Sequence, residues 1–203
     1  IAVAKAVERM TENVRLLFVG TNAPFEIKTL SRYGYDHKAI VSRPLKGGSL
    51  IGKVSALFIL CISILQALVI MIKNRPCFVL GVGGFSSFAV VLSAWLLRIP
   101  RAVQEQNAYP GLTNRMLARF SQTIFTSFKD TKGFSGLSKT RYVGNPVRKT
   151  EQDAAEEKTV LDAFDEKKFT LLVTGGSQGA RSINDAFIEA VSLIEESAGS
   201  YNI

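Results

Sequence analysis

Short apolar runs recur along the chain, each followed by a polar or glycine-bearing turn and then by a segment with apolar residues three or four apart. That alternation predicts strand followed by helix, repeated, and hence an α/β fold with parallel sheets. Residues 1–10 predict a helix with Ile1, Ala4, Ala6 and Val7 on one side and Lys5, Glu8 and Arg9 on the other. "VRLLFVGT" (14–21) predicts a buried strand closing on a Gly-Thr turn, "PFEIKTLSRYG" a short helix stopped by Gly34, and "DHKAIVS" a second strand. Phe78 to Gly84 repeats the strand-then-glycine design, with a helix over Phe88 to Leu97 after it. "RAVQEQN" is a further strand, then come a helix from about Leu112 and a strand around Thr123 to Phe128. The acidic stretch "TEQDAAEEKTVLDAFDEKK" predicts a linker and surface helix before a new strand at Phe169.

One segment breaks the rhythm. Val54 to Ile72 holds 19 uncharged residues between Lys53 and Lys73, close to the roughly 20 apolar residues that a membrane-spanning helix needs. As a helix it carries a narrow small-and-polar stripe of Ser55, Ala56, Ser63, Gln66 and Ala67, with Leu57, Phe58, Cys61, Leu65, Leu68 and Ile72 elsewhere around the cylinder. It also sits where a βαβ crossover helix belongs, and such a helix cannot cross a bilayer without breaking its sheet. The expectation is therefore interfacial attachment, with Leu57, Phe58 and Leu65 toward the bilayer and Lys46, Lys53, Lys73 and Arg75 near anionic headgroups.

Composition agrees with a folded chain: 203 residues, 47% hydrophobic, with a mean hydropathy of +0.17. Charge divides it. Residues 1–150 carry 21 Lys and Arg against 6 Asp and Glu, whereas residues 151–203 carry 4 against 11, as two domains with different electrostatic partners would. The basic residues are scattered singly without a nucleic-acid-binding motif, so nucleic acid is not expected as a partner. Cys61 and Cys77 lie in apolar surroundings, and buried reduced thiols are expected.

Two glycine turns follow strands, "GVGGFSS" (81–87) and "GGSQGAR" (175–181). Glycine lets backbone approach a ligand closely, and the next helix offers unpaired N–H groups and a positive dipole end, a combination suited to a diphosphate. Neither turn spells G-x-G-x-x-G, which disfavours a dinucleotide oxidoreductase. No G-K-[ST] follows, which disfavours a P-loop ATPase.

Together with "QEQNAYPGLTNR" (104–115) and "VGNPVR" (143–148), in this order and spacing, these turns resemble the MurG family. "FVGT" with Glu26, and the "RPLKGG" loop, fit the same pattern. The resemblance implies a metal-independent, inverting GT-B glycosyltransferase without a cofactor, built from two Rossmann-like domains. One would span 1–150 and serve acceptor and membrane; the other would begin with a linker at 151–203 and bind the UDP-sugar. It further implies transfer of N-acetylglucosamine from UDP-N-acetylglucosamine to undecaprenyl-diphosphate-muramyl-pentapeptide. The place implied is the cytoplasmic face of the bacterial inner membrane, as a peripheral protein alongside other cell-wall synthesis proteins.

Carried over by position, Asn107, Arg148, Gly175, Gly176, Ser177, Gln178 and Gly179 are expected at the donor, and Gly83, Gly84, Phe85 and Ser86 at the acceptor diphosphate. The family's usual general base would precede Ile1, so no residue of this chain is assigned as catalytic, and the chain alone is expected to be inactive. Gln104 stands where the family usually has His and cannot take up a proton, which keeps a non-catalytic membrane scaffold of the same fold as the alternative. Glu105 is expected to hold structure by hydrogen bonds rather than to act as acid or base, and His37 to lie at the surface. Arg181 is either a further cation at the turn or an exposed helix residue.

Overall fold

The computed structural model describes residues 1–42, 50–147, 173 and 180–197. The chain divides into two compact units, Ile1–Arg148 and Lys149–Ile203. The first holds α1 (Ala2–Met10), β1 (Leu17–Gly20), α2 (Pro24–Arg32), β2 (Asp36–Ala39), α3 (Leu50–Asn74), β3 (Val79–Gly81), α4 (Gly84–Leu96), β4 (Arg101–Glu105), α5 (Leu112–Leu117), β5 (Thr123–Thr126) and β6 (Thr140–Tyr142). In the second, the described element is α6 (Arg181–Ser197). The strands form a β1–β2 pair and a four-stranded sheet ordered β3-β4-β5-β6, parallel throughout. This is the expected α/β class. The fourth strand, β4, is buried along four of its five residues, and two of those are Gln104 and Glu105.

Local chemistry explains the boundaries. Pro24 opens α2, and the helix ends with Gly34 at φ +73°, its N–H bonded to Ser31 O and that of Tyr35 to Leu30 O. That pairing satisfies the last carbonyls through a left-handed residue. α4 closes the same way on a non-glycine: Arg98 has φ +57°, with Ile99 N–H bonded to Ala94 O at 2.8 Å. Pro100 follows at once and blocks any continuation. One strand, β6, has no counterpart in the sequence expectation. It is three residues long at the sheet edge with two of them exposed, too short and polar to give a period.

The core lies between the four-stranded sheet and the helices. Val79, Val103 and Ile124 of the sheet meet Val91, Ala94 and Leu117 of α4 and α5, with Phe134 closing the cluster. A second cluster joins Ile40, Ala67 of α3 and Ala89 of α4, with Val19 packed against it. Small residues bring α3 and α4 together, and Ser93 Oγ reaches across to donate to Ile64 O at 3.2 Å.

α3 is amphipathic in an unusual sense. Its buried positions include Ala56, Ser63, Ala67 and Met71, whereas Val54, Leu57, Phe58, Leu65, Val69 and Ile72 are exposed. Thus most of the small-and-polar stripe faces inward. Ser63 Oγ donates to Val41 O, and Gln66 Oε1 accepts from Val41 N–H at 2.7 Å, so the polar side chains hold the segment after β2. By length and composition this is one helix apolar enough to cross a membrane, with 22% of its most apolar window buried in the fold.

The cysteines correct the sequence expectation. Both Cys61 and Cys77 are exposed, because the apolar neighbours of Cys61 belong to the outer face of α3 rather than to the interior.

Candidate functional site

The carboxyl ends of β1, β3 and β4 each turn the chain into the segment that follows, and each turn presents backbone N–H groups. In an open parallel sheet this is the edge where ligands gather. What each turn does with its donors differs.

At the end of β1, Thr21 donates from both its backbone N–H and its hydroxyl to Glu26 Oε2, at 2.8 and 2.9 Å. A Cβ on Gly20 would stand 2.7 Å from that oxygen, so glycine is what allows the carboxylate to lie over the strand end. Beside it, His37 of β2 is half-buried and its Nε2 is buried without a partner among the described residues. The surface placement expected for His37 is thereby corrected: strand alternation turns Asp36 and Lys38 outward and His37 inward.

At the end of β4, Glu105 is 1% exposed. Its Oε1 accepts from the backbone N–H and the side-chain amide of Asn107, at 2.9 and 3.0 Å. Its Oε2 accepts from Gly111 N–H at 3.2 Å and from Asn114 Nδ2 at 2.9 Å. Four donors on one carboxylate make a closed knot from residues 105 to 114, the structural role anticipated for Glu105. Asn107 is exposed with its amide nitrogen committed to Glu105, which leaves Oδ1 as the acceptor it can offer.

At the end of β3 the turn is open. Gly83 and Gly84 have φ +93° and +82°, a region that L side chains rarely enter. α4 begins at Gly84, four residues earlier than the sequence pattern indicates, so Phe85 and Ser86 lie in its first turn. Gly83 makes no side-chain cap, and that first turn contains no acidic residue. Among the described residues, its first-turn N–H groups and the positive end of a 13-residue helix thus have no anion of the helix's own cap or first turn.

Two contacts join the open turn to the Glu105 knot. Gln106 Nε2 lies 3.5 Å from Val82 O, and a Cβ on Gly83 would touch the Asn114 amide at 3.6 Å. Asn114 is 3% exposed and also donates to Gln104 O at 3.0 Å. Sequence reasoning did not single out Asn114, although "GLTNR" stood in the motif that carried the resemblance. Gln104 is 4% exposed and donates from Nε2 to Ser127 Oγ at 3.3 Å. Its side chain ties β4 to the residue after β5, a task an amide performs without titrating.

The structure therefore brings Gly83, Gly84, Phe85, Ser86 and Asn107 to one rim. Arg148, Gly175, Gly176, Ser177, Gln178 and Gly179 lie outside the described residues. Arg181, at the start of α6, is exposed and pairs with Asp185 at 3.5 Å. Of the residues expected at a membrane, Leu57 and Phe58 are 60% and 68% exposed, Leu65 shares their exposure, and Lys73 and Arg75 are exposed at the helix end. Lys46 and the side chain of Lys53 lie outside the described set. Among the described residues no three His, Cys, Asp or Glu side chains gather as a metal-ligand group.

The description "Glycosyltransferase family 28 N-terminal domain" matches residues 1–126. The chain belongs to glycosyltransferase family 28. The curated relatives carry the name "UDP-N-acetylglucosamine--N-acetylmuramyl-(pentapeptide) pyrophosphoryl-undecaprenol N-acetylglucosamine transferase". That of Desulfotalea psychrophila is 41% identical over 205 residues, covering 100% of this chain and 54% of the relative. That of Myxococcus xanthus is 36% identical over 191 residues, covering 94% and 49%. The chain thus spans about half the length of the curated relatives it matches. Among solved structures, Acinetobacter baumannii MurG superposes with a TM-score of 0.68 at 26% identity, over 91% of this chain and 50% of that one. The MurG resemblance drawn from the motifs and the GT-B fold class are both supported by these matches. A UDP-GlcNAc 2-epimerase from Neisseria meningitidis, 14% identical with a TM-score of 0.55 over 96% of this chain and 59% of that one, shares the fold.

Proposed function

We propose that the protein carrying this chain transfers N-acetylglucosamine from UDP-N-acetylglucosamine to an undecaprenyl-diphosphate-linked muramyl-pentapeptide. The single observation that carries this is the open turn at β3. Of the strand ends at β1, β3 and β4, the first and last hold their own glutamates, while that of β3 offers uncapped helix amides. The relatives' name puts a pyrophosphoryl group on the acceptor, and an uncapped helix start is suited to it.

In this reading residues 1–150 serve the acceptor and the membrane, and residues from 151 on open the UDP-sugar domain. Gly83, Gly84, Phe85 and Ser86 hold the acceptor diphosphate, and Asn107 Oδ1 accepts a hydrogen bond from a donor-sugar hydroxyl. Arg148 and the Gly175–Gly179 turn with Ser177 meet the charge that develops on departing UDP. A base removes the proton from the muramyl 4-hydroxyl, whose oxygen attacks the anomeric carbon with inversion, and the bond to UDP breaks. The outer face of α3 rests in the bilayer interface, which brings the rim to a lipid-borne acceptor.

The test is transfer of radiolabelled N-acetylglucosamine from UDP-N-acetylglucosamine to a short-chain lipid acceptor by the protein carrying this chain. Label in the acceptor is the expected result; a hydrolysed donor with unlabelled acceptor overturns the proposal. Carbonate extraction of membranes tests the attachment: release into the wash is expected, and retention would contradict a peripheral placement.

A further inference from the structure

Immediately beside the open turn lies an apolar groove between three helices. Its walls are Ile59 and Leu60 of α3, Phe85 and Phe88 of α4, and Leu112 and Met116 of α5. Ser42, Ser63 and Thr113 also border it; the Ser63 hydroxyl is committed to the carbonyls of Val41 and Ile59, so the α3 wall presents little free polarity. Phe85, Leu112 and Met116 are exposed to solvent along the groove, an arrangement that marks a surface meant to be covered.

Position relative to the glycines narrows the occupant. Phe85 is the residue after Gly84, so the groove starts one residue from the uncapped helix amides. A ligand that fills both must carry an anionic head joined directly to an apolar tail. On α3, Leu60 of the groove and exposed Leu57 are three residues apart and so share one side of the helix. A tail leaving the groove therefore meets the exposed apolar face of α3 rather than a charged surface.

We propose that this groove binds the isoprenoid units of the acceptor that adjoin its diphosphate, holding them against Phe85, Leu112 and Met116 while the remainder of the chain passes along α3 into the bilayer. The inference rests on the acceptor-diphosphate reading given above and adds a tail subsite to it. Lifting the first units out of the lipid costs little here, because they exchange one apolar surface for another.

The 203-residue chain tests this by equilibrium dialysis with methyl diphosphate and farnesyl diphosphate. Farnesyl diphosphate is expected to bind at least about tenfold more tightly, since each buried methylene contributes several-fold. The double variant Leu112→Ser/Met116→Ser removes exposed side chains and so leaves the fold intact. It is expected to lose about tenfold for farnesyl diphosphate and less than about twofold for methyl diphosphate, while Met116→Leu retains parental binding. Equal affinity for the two ligands, or a serine variant that keeps its preference, overturns the groove and leaves the diphosphate site standing. Failure of both ligands to bind removes the diphosphate reading and the groove with it. A farnesyl diphosphate bearing a diazirine on its first isoprene unit should label Phe85, Leu112 or Met116. Labelling confined to Leu57 and Leu65, or a dimer that the serine variant dissolves, assigns the groove to another occupant and overturns the proposal.

Discussion

The turns after β1 and β3 are built from the same parts and end differently. Both follow a parallel strand, both contain glycine, and both enter a helix within a few residues. In the first, Glu26 lies in the opening turn of α2 and takes the donors of Thr21. In the second, the opening turn of α4 has no acid and no side-chain cap. A strand–glycine–helix turn is thus not a ligand site by virtue of its shape. The carboxylate, or its absence, decides whether the donors serve the fold or something outside it. The β4 turn sides with the first, since Glu105 satisfies four donors within ten residues.

The largest effect is expected where a filled turn is emptied in the interior. Glu105→Ala would strand the N–H groups of Asn107 and Gly111 and the Asn114 amide around a buried void. The expected loss is about 3 kcal/mol of stability, because unsatisfied buried donors cost more than the bonds themselves contribute. Urea unfolding measures it. A loss below about 1 kcal/mol would mean that water replaces the carboxylate and that the knot is not what holds this rim.

Filling the open turn is the converse experiment. Ser86→Glu would place a carboxylate in the first turn of α4, as Glu26 is placed in α2. The helix should keep or slightly gain stability, by up to about 1 kcal/mol, since a negative charge suits that end. Diphosphate binding should fall by roughly a hundredfold, about 2.7 kcal/mol, a magnitude within reach of like charges a few ångströms apart near a protein surface. Dialysis and thermal melting on the same sample separate the two. A variant that melts as the parent does and binds diphosphate unchanged would show that the anion does not sit at this helix end.

How far the sequence carries one depends on the kind of interaction. Leu17–Gly20 was legible as an apolar run before a glycine turn, although its residues are only half-buried rather than buried as expected, and Gly34 announced a helix end because few residues tolerate its backbone. The glycine turns were legible as turns. Their difference in occupancy was not, because it depends on whether a glutamate five residues on folds back. The donors around Glu105 come from residues 107 to 114, and nothing in their order says that they converge. Short β6 escaped notice through its polarity. The cysteines were misplaced because an apolar neighbourhood looks the same on the outer face of α3 as it does in a core. The helix's inward stripe was visible as spacing, but the side chains of Gln66 and Ser63 show their purpose only once Val41 lies beside them.

The smallest effect tests whether the two turns are separate devices. Glu26→Gln keeps one oxygen that can accept from both Thr21 donors and removes the charge, so the cost should be about 1 kcal/mol. With the Thr21 donors taken by Glu26, the β1 turn is expected to serve the fold, and diphosphate affinity should stay within about twofold of the parent, well inside what 1 kcal/mol would change. Ser86→Glu shows the opposite pattern, binding lost and stability kept, and the pair forms a double dissociation measured by melting and dialysis. Should Glu26→Gln weaken diphosphate binding as severely as Ser86→Glu does, the β1 and β3 turns would belong to one continuous anion site. Glu26 would then be orienting donors for the ligand rather than satisfying its own strand end.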